Sequence, residues 1–178
     1  MERRIHSGIY RRAVPEPEAE ERFKEENKDA VKGQIVLTGS SLMEMFPVNK
    51  FLAERGSDII VYNRAIGGYI TDELMQVLDT CVFELEPRRV FINIGTNDLS
   101  DSRIPMDRIM EHYDSIISSI EQRLPKTEIY LMAYYPVNYE AAAENMKECL
   151  KIRTNEKITA ANALVKRIAE TVSYTHLR

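Results

Sequence analysis

The sequence is short of cysteine, of histidine and of long apolar runs. Its two cysteines, Cys81 and Cys149, lie far apart and outside any metal-ligand spacing, which excludes a disulfide framework and offers no zinc site. No uninterrupted apolar stretch approaches the roughly 20 residues needed to cross a bilayer. The basic opening, Met-Glu-Arg-Arg-Ile-His-Ser-Gly-Ile-Tyr, is not followed by an apolar core of signal-peptide length. A cytoplasmic protein with no membrane span is the expectation. Charge of one sign is lacking too: 24 basic and 28 acidic residues are well mixed, for a net charge of -4. Nothing in that balance draws in nucleic acid or an anionic membrane, so a small-molecule partner is expected. Neither Gly-x-Gly-x-x-Gly nor a Walker lysine is present, which argues against nucleotide binding at the glycine-rich turns. Internal repeats and low-complexity segments are absent as well.

What remains is a chain of 178 residues with 44% hydrophobic content, enough to bury the core of one compact domain. Residues 1–17, ending in Pro15-Glu16-Pro17, read as a surface leader. Strong helix formers from Glu18 to about Ala30, with Phe23 as the one large apolar residue, predict a solvated helix pinned by Phe23. Ile35-Val36-Leu37, Asp58 to Asn63, Arg89 to Ile94 and Glu128 to Tyr134 read as buried strands. Between them, Met43 to Phe51 reads as a short helix or loop broken by Pro47. An amphipathic helix is expected from Thr71, as capping residue, to about Leu85, and another from about Met106 to Leu124. A last helical element covers roughly Ala141 to Thr171. Strands alternating with helices predict a parallel sheet covered on both faces, an α/β/α sandwich.

Three of the strands run into a glycine-polar turn: Gly39-Ser40-Ser41-Leu42, Gly67-Gly68 after Asn63, and Gly95-Thr96-Asn97-Asp98. Taken singly, each has a bland reading. Ser40 or Ser41 caps a helix, Gly67-Gly68 makes a tight turn, and Asn97 satisfies local backbone. In open α/β sheets, however, ligands bind just beyond the carboxyl ends of the strands, where all three turns lie. A serine hydroxyl on a sharp turn can attack an ester carbonyl, and preset donors stabilise the developing oxyanion by roughly 3 to 4 kcal/mol each. Glycine lets backbone come close, and an asparagine amide is a neutral donor.

In the order, spacing and strand context of these turns, residues 34 to 171 resemble the SGNH hydrolases, also called the GDSL-like lipase/acylhydrolase superfamily. Gly95-Thr96-Asn97-Asp98-Leu99 is the most specific match. The resemblance implies a three-layer α/β/α sandwich with a flavodoxin-like parallel sheet, and a serine esterase or acylhydrolase working through an acyl-enzyme without metal or organic cofactor. Ser41 would be its nucleophile. The Gly68 backbone N–H, the Asn97 side chain and the Ser41 backbone N–H would form the oxyanion hole. Short-chain carboxylic esters are the expected substrates, because no long apolar groove or lid is recognisable. A carbohydrate O-acetyl esterase is the nearest rival to a lysophospholipase or general esterase. The pattern is not Gly-x-Ser-x-Gly, so the α/β-hydrolase elbow is not indicated.

The chain departs from the family in places. Ser40 stands where aspartate is common, so Ser40 and Ser41 compete for the role of nucleophile, with alignment favouring Ser41. Ala65 stands where glycine is common. The family closes with a fifth strand and an Asp-x-x-His segment supplying the general base, whereas here Val172-Ser173-Tyr174-Thr175-His176-Leu177-Arg178 follows directly on the last helix. That heptapeptide resembles the in-frame translation of a transposon-end adapter used in sequencing libraries. The expectation is a non-native tail at 172–178, a fifth strand missing or vestigial, and a C-terminally truncated domain over 18–171. His6 falls in the leader and His112 on the expected solvent side of the helix after the third strand. Neither reads as a base, so weak esterase activity is expected. A non-catalytic ligand-binding module on the same fold is the reading from another class.

Overall fold

The computed structural model of the chain describes residues 16–171 and 175–177. Most of the expected leader lies outside those residues, and its last two, Glu16 and Pro17, open helix α1 (Glu16–Asn27). Proline fits a first helical turn, where its missing N–H has no carbonyl to meet. Ala19 and Phe23, one turn apart on α1, are buried as the core-facing side of an otherwise charged helix. The Arg64 guanidinium lies over the Phe23 ring, 4.8 Å from its centroid.

Five strands, β1 (Ile35–Gly39), β2 (Val61–Asn63), β3 (Arg89–Asn93), β4 (Glu128–Leu131) and β5 (Thr175–Leu177), form one sheet in the order β2-β1-β3-β4-β5. Every neighbouring pair is parallel. This is the doubly wound order of flavodoxin-like sheets, in which the chain reverses direction of travel between β1 and β3 and leaves a crevice at their carboxyl ends. Alternation along the strands divides the core. Val36, Val90, Ile92, Ile129 and Leu131 face a large cluster with α1, α4 (Thr71–Gln76), α5 (Leu78–Cys81), α7 (Met106–Arg123) and α9 (Asn155–Thr171). On the opposite face Leu37, Val61 and Ala65 meet Met43 from α2 (Ser41–Glu44), with Val48 and Leu52 of α3 (Val48–Glu54) packed against them. The α/β/α layering is therefore as expected, with the second helical layer much the thinner.

Several expected elements change. The second strand begins only at Val61 and lies on the sheet edge, so Ile59 and Ile60 are exposed rather than buried. The helix expected from 71 to 85 breaks into α4, α5 and a 3-10 turn at Phe83–Leu85. The last helical element is two helices, α8 (Glu144–Ile152) and α9, broken at Arg153 and Thr154. At the other edge of the sheet there is room for a vestigial fifth strand after all: β5 pairs with β4 over Ile129↔Thr175, Tyr130↔His176 and Leu131↔Leu177. Among the described residues no helix is long and apolar enough to cross a membrane.

Candidate active site

Gly39 ends β1 opposite Asn93 of β3 with φ +137°. A Cβ there would overlap the Asn93 carbonyl, so the turn leaving β1 requires glycine. The next residue, Ser40, donates its backbone N–H to that carbonyl at 3.0 Å and is the N-cap of α2, with its hydroxyl buried. Ser41 follows as the first residue of α2 and is half-buried. Of the two competing serines, Ser41 is the one that solvent reaches: Ser40 is 1% exposed. Asn63, at the end of β2, holds this turn from behind, donating its side-chain N–H to the Met43 and Glu44 carbonyls at 2.7 and 3.3 Å. Beyond Ser41 the surface is apolar, with Leu42, Met45, Phe46 and Phe51 exposed and the two phenylalanine rings 5.9 Å apart.

The second turn leaves β2 through Arg64, whose N–H continues the ladder to the Leu37 carbonyl at 2.8 Å, and Ile66, whose N–H reaches the Gly39 carbonyl at 3.0 Å. Gly68 then takes φ +81°, the left-handed region that favours glycine. The Ala65 methyl is buried against Leu37, Met43 and Val61. Among the described residues nothing accepts the backbone N–H of Ser41 or of Gly68. Both donors are open to solvent or to a ligand.

The third turn starts at Gly95, φ +104°, packed so closely on the Tyr134 ring that a Cβ would strike its hydroxyl. The short helix α6 (Thr96–Leu99) follows and presents Asn97, whose side-chain N–H is given to the Tyr69 carbonyl at 2.9 Å. That bond ties the Asn97 turn to the residue after Gly68 and leaves the second amide hydrogen uncommitted.

Sequence reasoning missed the groups that hold these turns. Thr71 is not a helix cap. Ile70 is the N-cap of α4, and Glu73 closes back on its N–H at 3.0 Å. The Thr71 hydroxyl and N–H are instead spent on Asp98, at 2.6 Å to Oδ1 for the hydroxyl and at 3.1 and 3.2 Å to the two oxygens for the N–H. His112, expected on the solvent side of α7, is half-buried with Nδ1 3.2 Å from the Thr71 hydroxyl oxygen. Burial raises the Asp98 carboxyl above its ordinary range, opposed by the Thr71 hydrogen bonds and by His112. Two cations seat the far end of α6. Arg153 reaches the Thr96 carbonyl at 3.3 Å and the Ser100 hydroxyl at 3.2 Å, and Lys157 reaches the Leu99 carbonyl at 2.9 Å. Burial lowers the pKa of both. The one signal for any of these groups was Asp98, the acidic residue that closes Gly95-Thr96-Asn97-Asp98. No group of three or more His, Cys, Asp or Glu side chains suited to a metal occurs among the described residues.

The turns that follow β1 and β3 thus flank the switch point of the sheet, and the turn after β2 is tied to both. Among solved structures, the chain is similar to one assigned provisionally as a platelet activating factor from Streptococcus pneumonia. Identity is 27%, coverage 90% of this chain and 72% of that one, and the TM-score 0.78. A GDSL-like lipase from Bacteroides thetaiotaomicron superposes with a TM-score of 0.71 at 20% identity, over 89% of this chain and 76% of that one. A structure assigned provisionally as an acylhydrolase, from Bacteroides fragilis, gives 0.70 at 23% identity, over 88% and 74%. No curated protein matches the sequence. The GDSL-like lipase/acylhydrolase family itself matches residues 47–177, a span that holds Gly68 and Asn97 and starts just beyond Ser41. On that match over most of its length, the chain belongs to the GDSL-like lipase/acylhydrolase family.

Proposed function

We propose that the chain is a serine ester hydrolase acting on small carboxylic esters through an acyl-enzyme. Ser41 Oγ attacks the ester carbonyl carbon, and the carbonyl π electrons move onto its oxygen. The Ser41 and Gly68 N–H groups and the free hydrogen of the Asn97 amide receive that oxyanion. Collapse breaks the ester C–O bond, and the departing oxygen takes up the Ser41 hydroxyl proton through water and leaves as the alcohol. The acyl group stays on Ser41, and a water molecule then adds to it to release the acid and restore the serine hydroxyl. The single observation that supports this most is the pair of backbone N–H groups, Ser41 and Gly68, without acceptors on adjoining turns. Buried or half-buried donors held ready in this way stabilise an oxyanion without reorganising at the moment of reaction. The exposed apolar side chains after Ser41 suit an uncharged acyl group beside the nucleophile.

The 178 residues contain no Asp-x-x-His. His112 is engaged with Thr71. Without a base a serine hydroxyl is a weak nucleophile, so we infer slow turnover carried mainly by the oxyanion hole. The same feature favours a second reading, a non-catalytic module that binds ester or acyl ligands in the same crevice.

A fluorophosphonate probe tests both. Mass spectrometry of the labelled chain is expected to find the adduct on Ser41, lost in Ser41→Ala and retained in Ser40→Ala. Asn97→Ala should slow labelling by about two orders of magnitude, the usual cost of one oxyanion donor. Labelling that persists in Ser41→Ala would defeat the assignment, and a folded wild type that never labels would favour the binding module.

A further inference from the structure

Thr71 and Asp98 are enclosed, at 0% and 1% exposure, and hydrogen-bond each other across the interface of α4 and α6. The Thr71 hydroxyl has one hydrogen and two close neighbours: Asp98 Oδ1 at 2.6 Å and His112 Nδ1 at 3.2 Å. A carboxylate accepts only, so the hydroxyl hydrogen belongs to Asp98, and the Thr71 oxygen can then only accept from His112. His112 must carry its proton on Nδ1, the reverse of the Nε2–H form that free neutral imidazole prefers. The chain of donors runs His112 to Thr71 to Asp98 and links α7 to α4 and α6. Asp98 adjoins Asn97, and Thr71 lies three residues after Gly68.

We propose that His112 is a positioning residue for the two oxyanion turns, acting as an Nδ1–H donor that holds the Thr71 hydroxyl on Asp98. The role rests on reading Gly68 and Asn97 as oxyanion donors, whereas the order of the hydrogen bonds does not. With the imidazole in place, the hydroxyl has no second acceptor to turn to, and the α4 and α6 turns keep one mutual register. Remove the donor, and the Thr71 oxygen keeps an unmet lone pair inside the protein, which loosens the seat of Asp98.

Nitrogen-15 NMR of the labelled chain tests the proposal without turnover. Long-range proton–nitrogen spectra in the neutral imidazole range should show His112 as the Nδ1–H form in wild type, a preference lost in Thr71→Val. The Gly68 N–H and Asn97 side-chain amide signals should shift in His112→Leu and return toward wild type in His112→Asn, whose amide can place an N–H near the Nδ1 position. Fluorophosphonate labelling of Ser41 should fall about five-fold in His112→Leu and recover in His112→Asn, a loss of the size expected for one hydrogen bond. An Nε2–H form in wild type would overturn the proposal, because Thr71 would then donate to His112. Gly68 and Asn97 signals unmoved in His112→Leu would overturn it equally. If His112→Leu fails to fold, Thr71→Val decides by the same two signals. A chain whose NMR behaves as expected but whose Ser41 never labels upholds the donor order and overturns the ester hydrolase reading.

Discussion

Gly39→Ala is the sharpest test of how the turn after β1 is built. Gly39 takes φ +137° and lies against the Asn93 backbone, where a Cβ would overlap the carbonyl carbon and oxygen. An L-residue forced into a positive-φ region costs about 1–2 kcal/mol. The overlap is with backbone, not with a side chain that can swing away, so β1 and β3 must separate, a shift on the scale of core overpacking at about 1–3 kcal/mol. Separation also stretches the Ser40 N–H bond to Asn93, now 3.0 Å, whose loss costs about 1 kcal/mol. The sum is roughly 3–6 kcal/mol, which for a chain of this length lowers Tm by about 10–15 °C. Gly56→Ala is the control. It has φ +59° with nothing within 4 Å of the added Cβ, so it bears the dihedral cost alone, about 1–2 kcal/mol and a fall of about 4 °C. Differential scanning calorimetry of both variants separates steric contact from dihedral strain. A fall in Gly39→Ala no larger than in Gly56→Ala would show that the close approach of β1 to β3 is not what makes glycine necessary there.

Two further outcomes follow from buried titratable groups. Burial pushes the Cys81 thiol up to about 12, so iodoacetamide at about pH 8 should leave Cys81 unmodified in the native protein and alkylate it in urea; native alkylation at a rate like the unfolded chain's would refute its enclosure. Burial also raises Asp98 above its unfolded value of 3.8, so its contribution to stability is present below that value and is lost as pH rises through the folded pKa. Asp98→Asn removes this titration, so its stability deficit against wild type should be greatest in acid and narrow toward neutral pH in urea unfolding; a deficit that widens would show the folded carboxyl to be depressed.

The three strand-end turns were legible because each couples a β-branched run to a glycine that the backbone requires, as at Gly39 and Gly95. Helix α7 was legible because Ile109, Ile116, Ile117 and Ile120 repeat at helical spacing, and all four are buried. The break of the 71–85 helix was not, because no glycine or proline marks it and the apolar positions continue through Val77, Leu78, Cys81 and Val82. The exposure of Ile59 and Ile60 depends on β2 being an edge strand, which is a property of topology and not of local sequence. Thr71 misled for a similar reason. A threonine before two acidic residues at a helix start has the form of a cap, and only an aspartate 27 residues away claims its hydroxyl. His112 lies three residues beyond Ile109 and so on the flank of the buried stripe, where periodicity does not choose between solvent and a polar neighbour.

The ladders explain why the site needs those side chains. Turns bearing Ser41 and Asn97 leave β1 and β3, which pair with each other over five residues, from Ile35↔Arg89 to Gly39↔Asn93. They issue from the centre of the sheet and inherit its rigidity. The Gly68 turn leaves β2, an edge strand paired only over Ile35↔Val61, Val36↔Tyr62 and Leu37↔Asn63. Short edge ladders open first in local fluctuations. The Gly68 N–H on such a strand would drift relative to Ser41 unless other bonds held it. Those bonds are present on both sides of Gly68: the Ile66 N–H on the Gly39 carbonyl before it, and after it the Asn97 amide on Tyr69 and the Asp98 carboxylate on Thr71. The edge turn is thus fixed to β1 by backbone and to the β3 turn by side chains, so Asn97 and Asp98 do for Gly68 what a longer β2 would otherwise have to do.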